Sequence, residues 1–373
     1  MSNPKVREPL MHIVKRDGMP FWKSAMVRLI AIVLALVVCG GIIVLMTTMI
    51  PGKEPLNPLK VYAGIWDGAM GTSRRMWVTF REAAILLCVA LAVLPAFRMR
   101  FWNIGAEGQV LMGALGTAAV MIYGKSLPAW LLYTLMAIAG IGLGMLWGVI
   151  PSLFKAKWGT NETLFTLMMN YVATQVVTFC IIFWENPKGS NKVGSLDKAV
   201  WLPSIADNKY LLTIVVVLAI AVAMYFYMRY TKQGYEIAVV GDSASTARYA
   251  GMKVNTIVLR TVFLSACLIG LAAAFKVGTA GILSTAITDD VGWTGIIVAW
   301  LSQLNTVVIF VVSALICVLH YGSTVAAATF SQVDSSFANM LQGVILFLVL
   351  AADFYTRFRV VRTKKGGKDN GNG

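Results

Sequence analysis

The sequence predicts an all-α, polytopic membrane protein, a bundle of about ten transmembrane helices. Of its 373 residues, 58% are hydrophobic and only 13% are charged, whereas a soluble domain carries about 25% charged residues. That composition supplies too few polar side chains to cover a soluble globule, so it excludes a soluble enzyme, a disordered chain and a coiled coil. The apolar residues also fall into separate segments, most of them close to the roughly 20 residues that a membrane helix needs.

Seven of these segments are regular and two regions are interrupted. Residues 102–123 are apolar but contain Glu107 and several glycines, and residues 292–323 are too long for one span and break at 302–305. Division of the second region into two elements brings the total to ten, with short interrupted helices among them. The regular segments are 27–49, 78–97, 128–154, 163–184, 210–228, 257–277 and 337–353.

The positions of the basic residues predict the orientation. There are 32 Lys and Arg residues against 17 Asp and Glu residues, a net charge of +15, and residues 277–356 contain no Lys or Arg. Because cytoplasmic loops are enriched in Lys and Arg, we predict a cytoplasmic N-terminal segment at 1–26, a transmembrane domain at 27–356 and a basic cytoplasmic tail at 357–373. Both termini on one side require an even number of spans.

Two loops in this topology stand out. Residues 50–77 form a predicted outer loop whose Arg74 and Arg75 oppose the charge rule, and an amphipathic or partly inserted segment there would account for them. Residues 229–256 form a predicted cytoplasmic loop with two short amphipathic stretches around Gly241-Asp242. Simple connections are usually shorter, so a docking surface for a soluble partner is favoured over a mere link.

Glu107 is the first candidate functional residue, because a carboxylate within the hydrocarbon region normally faces a bundle interior or water. Asn103 and Gln109 stand beside it. Two interpretations have similar weight: the three side chains line a polar pathway, or they form a hydrogen-bonded link between helices.

A second polar cluster opens the segment at 163–184. Asn161 is suited to cap that helix, and Glu162 suits the positive end of its dipole. Asn170 lies two turns deeper, where an amide requires a partner. Near the second span, Arg81 and Glu82 are expected to pair with each other or with the interface, in a structural role.

The segment that begins at Trp102 is weakly similar to the segment that begins at Gly292, mainly in the placement of glycine. Interrupted hydrophobic segments in corresponding halves of a chain are typical of transporter binding sites. The sequence therefore predicts a weak two-half repeat. Trp293 could stack on a base, although a tryptophan of the interfacial belt is the alternative.

No catalytic or metal-binding set is recognisable. The chain has two histidines, and its five cysteines lie in apolar segments without metal-ligand spacing, so we interpret them as small core residues. Gly124-Lys125-Ser126 resembles the end of a phosphate-binding loop, but Ala119 replaces the required glycine. We therefore expect no catalytic residue, no metal and no cofactor held by this chain.

Four segments carry a resemblance to a known family. They are residues 161–171, the inner segment 241–251 with the span that follows it, residues 293–299, and Asn103-Ile104-Gly105-Ala106-Glu107-Gly108-Gln109. In them the chain resembles the permease subunits of bacterial ABC importers for branched-chain amino acids, simple sugars and nucleosides, and it is most similar to the nucleoside branch. Residues 302–305 depart from the usual glycine-rich continuation, which bears on the substrate more than on the class.

The resemblance implies a permease of the bacterial inner membrane that forms the pathway for a nucleoside or a related small polar solute. It implies four kinds of partner: the lipid bilayer, a second permease subunit (a paralogue is favoured), ATPases that bind the ATP in the cytoplasm, and an extracytoplasmic solute-binding protein. Nucleic acid is not an expected partner. The ATPase-coupling residues would be Glu236, Gly241, Ala247 and Gly251, and the substrate-pathway residues Asn103, Glu107, Gln109, Asn170, Trp293 and Thr294.

Other functions remain open from the residues themselves. An ion-coupled secondary transporter would use Glu107 or Asp289-Asp290 for coupling, and a permease for a simple sugar would share every feature described above. A membrane-embedded enzyme is disfavoured by the two-histidine inventory, and an assembly scaffold would transport nothing.

Overall fold

A computed structural model describes residues 11–15, 20–49, 55–194, 196–330 and 336–362. Thirteen α-helices make up most of this described part, together with short 3-10 turns and two small antiparallel sheets. The helices are α1 Phe21–Thr48, α2 Pro58–Met70, α3 Ser73–Arg98, α4 Ala106–Tyr123, α5 Ala129–Trp158, α6 Glu162–Trp184, α7 Leu211–Tyr230, α8 Lys232–Asp242, α9 Ala244–Tyr249, α10 Val254–Ala280, α11 Val291–Leu301, α12 Thr306–Thr329 and α13 Ser336–Arg357. The strands are β1 Met11–Lys15, β2 Lys192–Val193, β3 Leu283–Ser284 and β4 Phe358–Arg362.

The chain forms two compact units, and the first joins sequence from both ends. It comprises the described residues of Met1–Ala63 and Phe330–Gly373. Helix α1 packs on α13, and β1 pairs with β4 in an antiparallel register that sets Met11 opposite Arg362. This pairing holds residues before α1 and after α13 side by side, as an even number of spans requires. Most of the predicted segment 1–26 and the tail beyond Arg362 lie outside the described residues.

The second unit, Gly64–Thr329, is a helical bundle built around α3. Helix α3 packs against α7, α10, α11 and α12, and 78% of its most apolar window is buried. The corresponding share is 56% for α10 and no more than 33% for the other helices that are long and apolar enough to span a membrane. Most residues of α4 are also buried. Helices α3, α4 and α10 are therefore central, while the remaining long helices have more exposed apolar faces.

Glycines allow α5 and α10 to approach closely. Gly140, Gly144 and Gly148 recur every fourth residue along one face of α5, and all three are buried. A Cβ added at Gly144 would lie 2.7 Å from the Cα of Gly270 on α10. Small residues at this spacing let backbones meet without large side chains between them, which is how membrane helices gain packing energy where lipid offers no hydrophobic drive.

Eight helices among the described residues are long and apolar enough to cross a membrane. They correspond to the seven regular segments of the sequence and to α12. The expected total of about ten helices includes short interrupted ones, and α11 is such a helix: it has 11 residues, so it rises about 16 Å, roughly half of the hydrocarbon thickness. Helix α4 has 18 residues and is nearly long enough. The predicted break at 302–305 is present as a turn between α11 and α12.

The predicted outer loop at 50–77 is largely helical. Its described part contains α2, and α3 already begins at Ser73, so Arg74 and Arg75 lie in the first turn of a long helix. The Arg75 guanidinium is 3.2 Å from the Asp67 carboxylate on α2. Residues 50–54 lie outside the described part of the chain.

Loops predicted to share a side meet at the same end of the second unit. At one end the Asn255 amide donates to the carbonyl of Ala156 at 3.0 Å. At the other end the Trp184 indole donates to the Tyr123 hydroxyl at 2.9 Å, and the backbone N–H of Leu196 donates to Gly281. We call the first the basic end, because Arg98, Lys155, Lys157, Arg229 and Lys253 lie there, and the second the far end.

Candidate functional site

The polar cluster predicted from the sequence surrounds the start of α4. Asn170 on α6 accepts a hydrogen bond from the Gly108 backbone N–H at 2.9 Å and donates one to the Ile104 carbonyl at 3.0 Å. Asn103 accepts from the Gln109 amide at 3.2 Å. The side chains of α6 therefore hold the non-helical segment before α4, which explains why Asn170 is found two turns inside an apolar helix.

Glu107 joins the same cluster to α11. Its carboxylate accepts a hydrogen bond from the backbone N–H of Gly292 at 2.8 Å. That N–H belongs to the first turn of α11 and has no partner within the helix. A Cβ at Gly292 would overlap the Glu107 backbone, so glycine is required for this approach. The carboxylate thus binds the positive end of the short helix.

All four side chains of this cluster are deeply buried within the subunit, with exposed fractions of 8% or less for Asn103, Glu107, Gln109 and Asn170. The Asn103 amide nitrogen and the Gln109 amide oxygen have no hydrogen-bond partner among the described residues. The cluster thus forms a hydrogen-bonded link between helices, which is one of the two interpretations of these side chains from sequence. Through Glu107 it also binds the first turn of α11.

Trp293 and Thr294 come directly after Gly292 in the first turn of α11, and both are half-buried. Thr294 lines a cavity and Trp293 does not stack on another ring among the described residues. The two similar segments of the sequence do meet here, through Glu107 and Gly292. Their helical registers differ, however, because Trp102 precedes its helix by four residues whereas Trp293 is inside α11.

The helix α11 is bounded on both sides by strained backbone. Asp289 and Asp290 have φ values of 51° and 54°, and Gln303 and Leu304 have values of 50° and 56°. Residues other than glycine adopt this left-handed region at a cost of about 1–2 kcal/mol each. Two such pairs delimit α11 as a separate short element.

A group of three charges lies between α3 and α10, and the sequence predicted only two of its members. Arg81 and Glu82 pair, as predicted, and Lys276 adds a second cation, its ammonium 3.1 Å from the Glu82 carboxylate. The Lys276 side chain is only 8% exposed. The signal that could have revealed it is its position as one of only two cations, with Arg260, in the apolar segment 257–277.

The predicted coupling segment forms two short helices, α8 and α9, at the basic end. Of its four predicted residues, Glu236 pairs with Arg260 of α10 at 2.7 Å, and Ala247 is fully buried. Gly241 is buried where a Cβ would overlap the carbonyl oxygen of Arg98. Gly251 is exposed, with a φ of 77°. Three of the four residues thus anchor the segment to the bundle.

The exposed surface of this segment comes from residues that the sequence analysis did not select. Tyr249 is 93% exposed and Tyr235 is 64% exposed. Between α8–α9 and the ends of α3 and α5 lies a cleft of about 480 Å³, whose charged lining is three cations, Arg100, Lys155 and Arg248, and two carboxylates, Glu162 and Asp242. A projecting aromatic ring beside a charged cleft is a surface that a soluble protein could bind.

The described residues contain no group of three or more His, Cys, Asp or Glu side chains arranged to hold a metal ion. All five cysteines are free, and three of them are buried.

These features define a multi-pass helical membrane protein with a short interrupted helix at its centre. The family of branched-chain amino acid transport system permease components matches residues 78–350, and the chain belongs to that family. It is 31% identical to the guanosine ABC transporter permease protein NupP of Bacillus subtilis, over 92% of this chain and 97% of that protein. The protein is accordingly a permease subunit of an ABC transporter.

Two further relatives cover similar shares of the chain. It is 26% identical to the glucose ABC transporter permease protein TsgB13 of Haloferax volcanii, over 92% of each protein. It is also 26% identical to the nucleoside ABC transporter permease protein NupB of Lactococcus lactis subsp. cremoris, over 88% of this chain and 91% of that protein.

Proposed function

We propose that this chain forms half of the membrane pathway of an ATP-driven importer for a solute that carries a sugar, with nucleosides as the first candidates. The observation that carries the proposal is the similarity, over nearly the whole chain, to permeases named for guanosine and for nucleosides. A nucleoside and a hexose are both neutral and rich in hydroxyl groups, so one pathway chemistry suits both.

The proposed partners follow from the two ends of the bundle. Cytoplasmic ATPases dock on α8–α9, where Tyr249 projects beside the charged cleft. A solute-binding protein delivers its ligand at the far end, and a second permease subunit, favoured to be a paralogue, completes the pathway. The positive-inside rule supports a cytoplasmic basic end in a bacterial inner membrane, and the pairing of β1 with β4 supports termini on one side.

The proposed pathway runs beside α11. Thr294 and Trp293 are the members of the predicted set on this helix, and Glu107 holds its first turn. Asn103, Gln109 and Asn170 act by holding the start of α4, on which Glu107 lies. Movement of α11 between two positions would then open or close the path. ATP binding and hydrolysis would bias the two states through α8, which contacts both α3 and α10.

The test is uptake by proteoliposomes that contain the assembled complex, with its ATPases and binding protein. Radiolabelled guanosine should accumulate when ATP is present on the ATPase side, and an ionophore should leave the rate unchanged. Uptake that survives ATP removal and collapses with the ionophore would establish the ion-coupled alternative. Absence of any uptake would refute transport of these solutes.

A simple sugar is the second candidate, and the similarity to a glucose permease supports it. The same proteoliposomes distinguish the two when labelled D-glucose replaces guanosine. Unlabelled guanosine should inhibit a nucleoside importer at lower concentration than glucose does, and the order should reverse for a sugar importer.

A further inference from the structure

We propose that a cavity between α3, α10, α11 and α12 binds the hydroxyl groups of a neutral sugar moiety. The proposal rests on the proposed function and goes beyond it, because it identifies a binding site that the predicted pathway residues do not include, apart from Thr294. The polar residues that line the cavity and carry the argument are Arg81, Glu82, Lys276, Asp289, Thr294 and His320.

The charges of the cavity balance. Arg81 and Lys276 both pair with Glu82, and Asp289 supplies a second carboxylate. Two cations and two carboxylates sum to zero, so these four groups leave no excess charge to attract a phosphate or a carboxylate. The cavity instead presents fixed donors and acceptors side by side, which is the chemistry that adjacent hydroxyl groups need.

Asp289 retains capacity for a ligand. Its carboxylate is 3.7 Å from the His320 Nδ1 atom, which is longer than a hydrogen bond, so its oxygens can accept hydrogen bonds from a solute. Charged side chains at this depth in a membrane bundle are costly, and they generally mark a site or a path.

The size of the cavity indicates which part of the solute it can hold. Its volume is about 230 Å³, below the roughly 300–1,000 Å³ of sites that enclose drug-sized ligands. A pentose or hexose ring fits a cavity of that size. Its apolar wall, which includes Leu86 and Ile316, suits the carbon face of a sugar ring.

The position of the cavity fits an entry site. Lys276 is within the last two turns of α10, and Arg81 is in the third turn of α3, both toward the far end of the bundle. The cavity is thus at the end opposite α8–α9, where delivery of solute is proposed. Asp289, whose side chain is 60% exposed, lies at its opening.

The experiment measures protection of a cysteine in the cavity. Thr324 lines the cavity and is exposed, so Thr324→Cys should react with a charged methanethiosulfonate reagent in the assembled complex without binding protein. Saturating D-ribose should slow this reaction about tenfold, as expected when about nine-tenths of the sites are occupied, and tetrahydrofuran, a ring without hydroxyls, should not. Reaction of the parent complex with its five native cysteines supplies the background.

Two matched variants sharpen the result. Thr329→Cys, exposed on the same helix but outside the cavity, should react at the same rate with and without D-ribose. Asp289→Asn in the Thr324→Cys background should abolish protection, whereas Asp197→Asn, an exposed carboxylate at the same end, should preserve it.

The outcomes separate this proposal from the proposed function. No reaction at Thr324→Cys, no protection by D-ribose, or equal protection by tetrahydrofuran would overturn the sugar cavity while ATP-driven uptake of guanosine still stood. Protection that persists in Asp289→Asn would also overturn it. Loss of uptake and of protection together would refute both.

Discussion

At the scale of single residues, the contact between Glu107 and Gly292 joins two helices that are 185 positions apart in sequence. The carboxylate accepts a backbone N–H at the start of α11, and the glycine makes the approach possible. A buried carboxylate is tolerated here because it is hydrogen-bonded. The same residue that appears from sequence to be a pathway acid is therefore also the anchor of the short helix.

Gly292→Ala tests this contact. The added methyl group would overlap the Glu107 backbone, so we expect a loss of about 1–3 kcal/mol in stability, as for other overpacked sites. The measurement is the thermal denaturation midpoint of the detergent-solubilised complex. Gly142→Ala is the control, because its Cβ meets no atom within 4 Å, and equal midpoints for the two variants would contradict the close approach.

Local roles of residues could be predicted from sequence, and distant partners could not. Asn161 caps α6 by accepting from the Leu164 backbone N–H at 3.2 Å, as expected from its place before an apolar segment. The pairing of Arg81 with Glu82 was also predicted. Lys276 was missed because 194 residues separate it from Glu82, and periodicity carries no information about such pairs.

At the scale of elements, the pairing of α5 with α10 depends on small residues along both helices. Gly140, Gly144 and Gly148 face Ala274, Gly270 and Ala266 in antiparallel order. These glycines form a face of small residues on α5, but in sequence the helix is not distinguished from an ordinary apolar span. Its partner could not be chosen from sequence, because several other helices also contain small residues.

Gly144→Leu should separate these helices. A leucine side chain would have to enter the space now filled by the Gly270 backbone, so we expect the complex to lose assembly or to denature well below the wild type. Gly142→Leu, two residues away and facing open space, should assemble normally. Size-exclusion chromatography of the two variants is the measurement, and a normal profile for Gly144→Leu would refute the tight packing.

The short helix α11 is an element whose bounds could be predicted from sequence. The apolar region at 292–323 begins within one residue of α11, and polar residues interrupt it at 302–305, where α11 ends. Two consecutive left-handed aspartates, Asp289 and Asp290, begin it, and their conformation depends on the surrounding bundle. The preceding residues 281–290 contain β3 and a 3-10 turn.

At the scale of the whole molecule, the charge distribution is a topology signal. The excess of +15 lies partly at the basic end of the second unit, together with α8 and α9, and it needs no anionic ligand to explain it. The predicted spans were recovered because hydrophobic length is a strong signal. The pairing of β1 with β4 was not predicted, since strand partners far apart in sequence leave no periodic trace.

Cysteine labelling in intact cells tests the orientation. Lys253→Cys at the basic end and Lys198→Cys at the far end are both exposed. A membrane-impermeant maleimide added outside should label Lys198→Cys and should label Lys253→Cys only after permeabilisation, with the parent chain as background. The opposite pattern would invert the topology and remove the cytoplasmic docking surface.

The proposed coupling of solute passage to ATPases runs through α8–α9. The most direct measurement is ATP hydrolysis by the assembled complex with and without loaded binding protein, in Tyr249→Ala and Gly241→Trp. We predict that stimulation falls about tenfold in Tyr249→Ala, as for loss of an aromatic interface anchor, and disappears in Gly241→Trp, while Tyr123→Ala at the far end responds like the wild type. Wild-type stimulation in both α8–α9 variants would refute coupling through this segment.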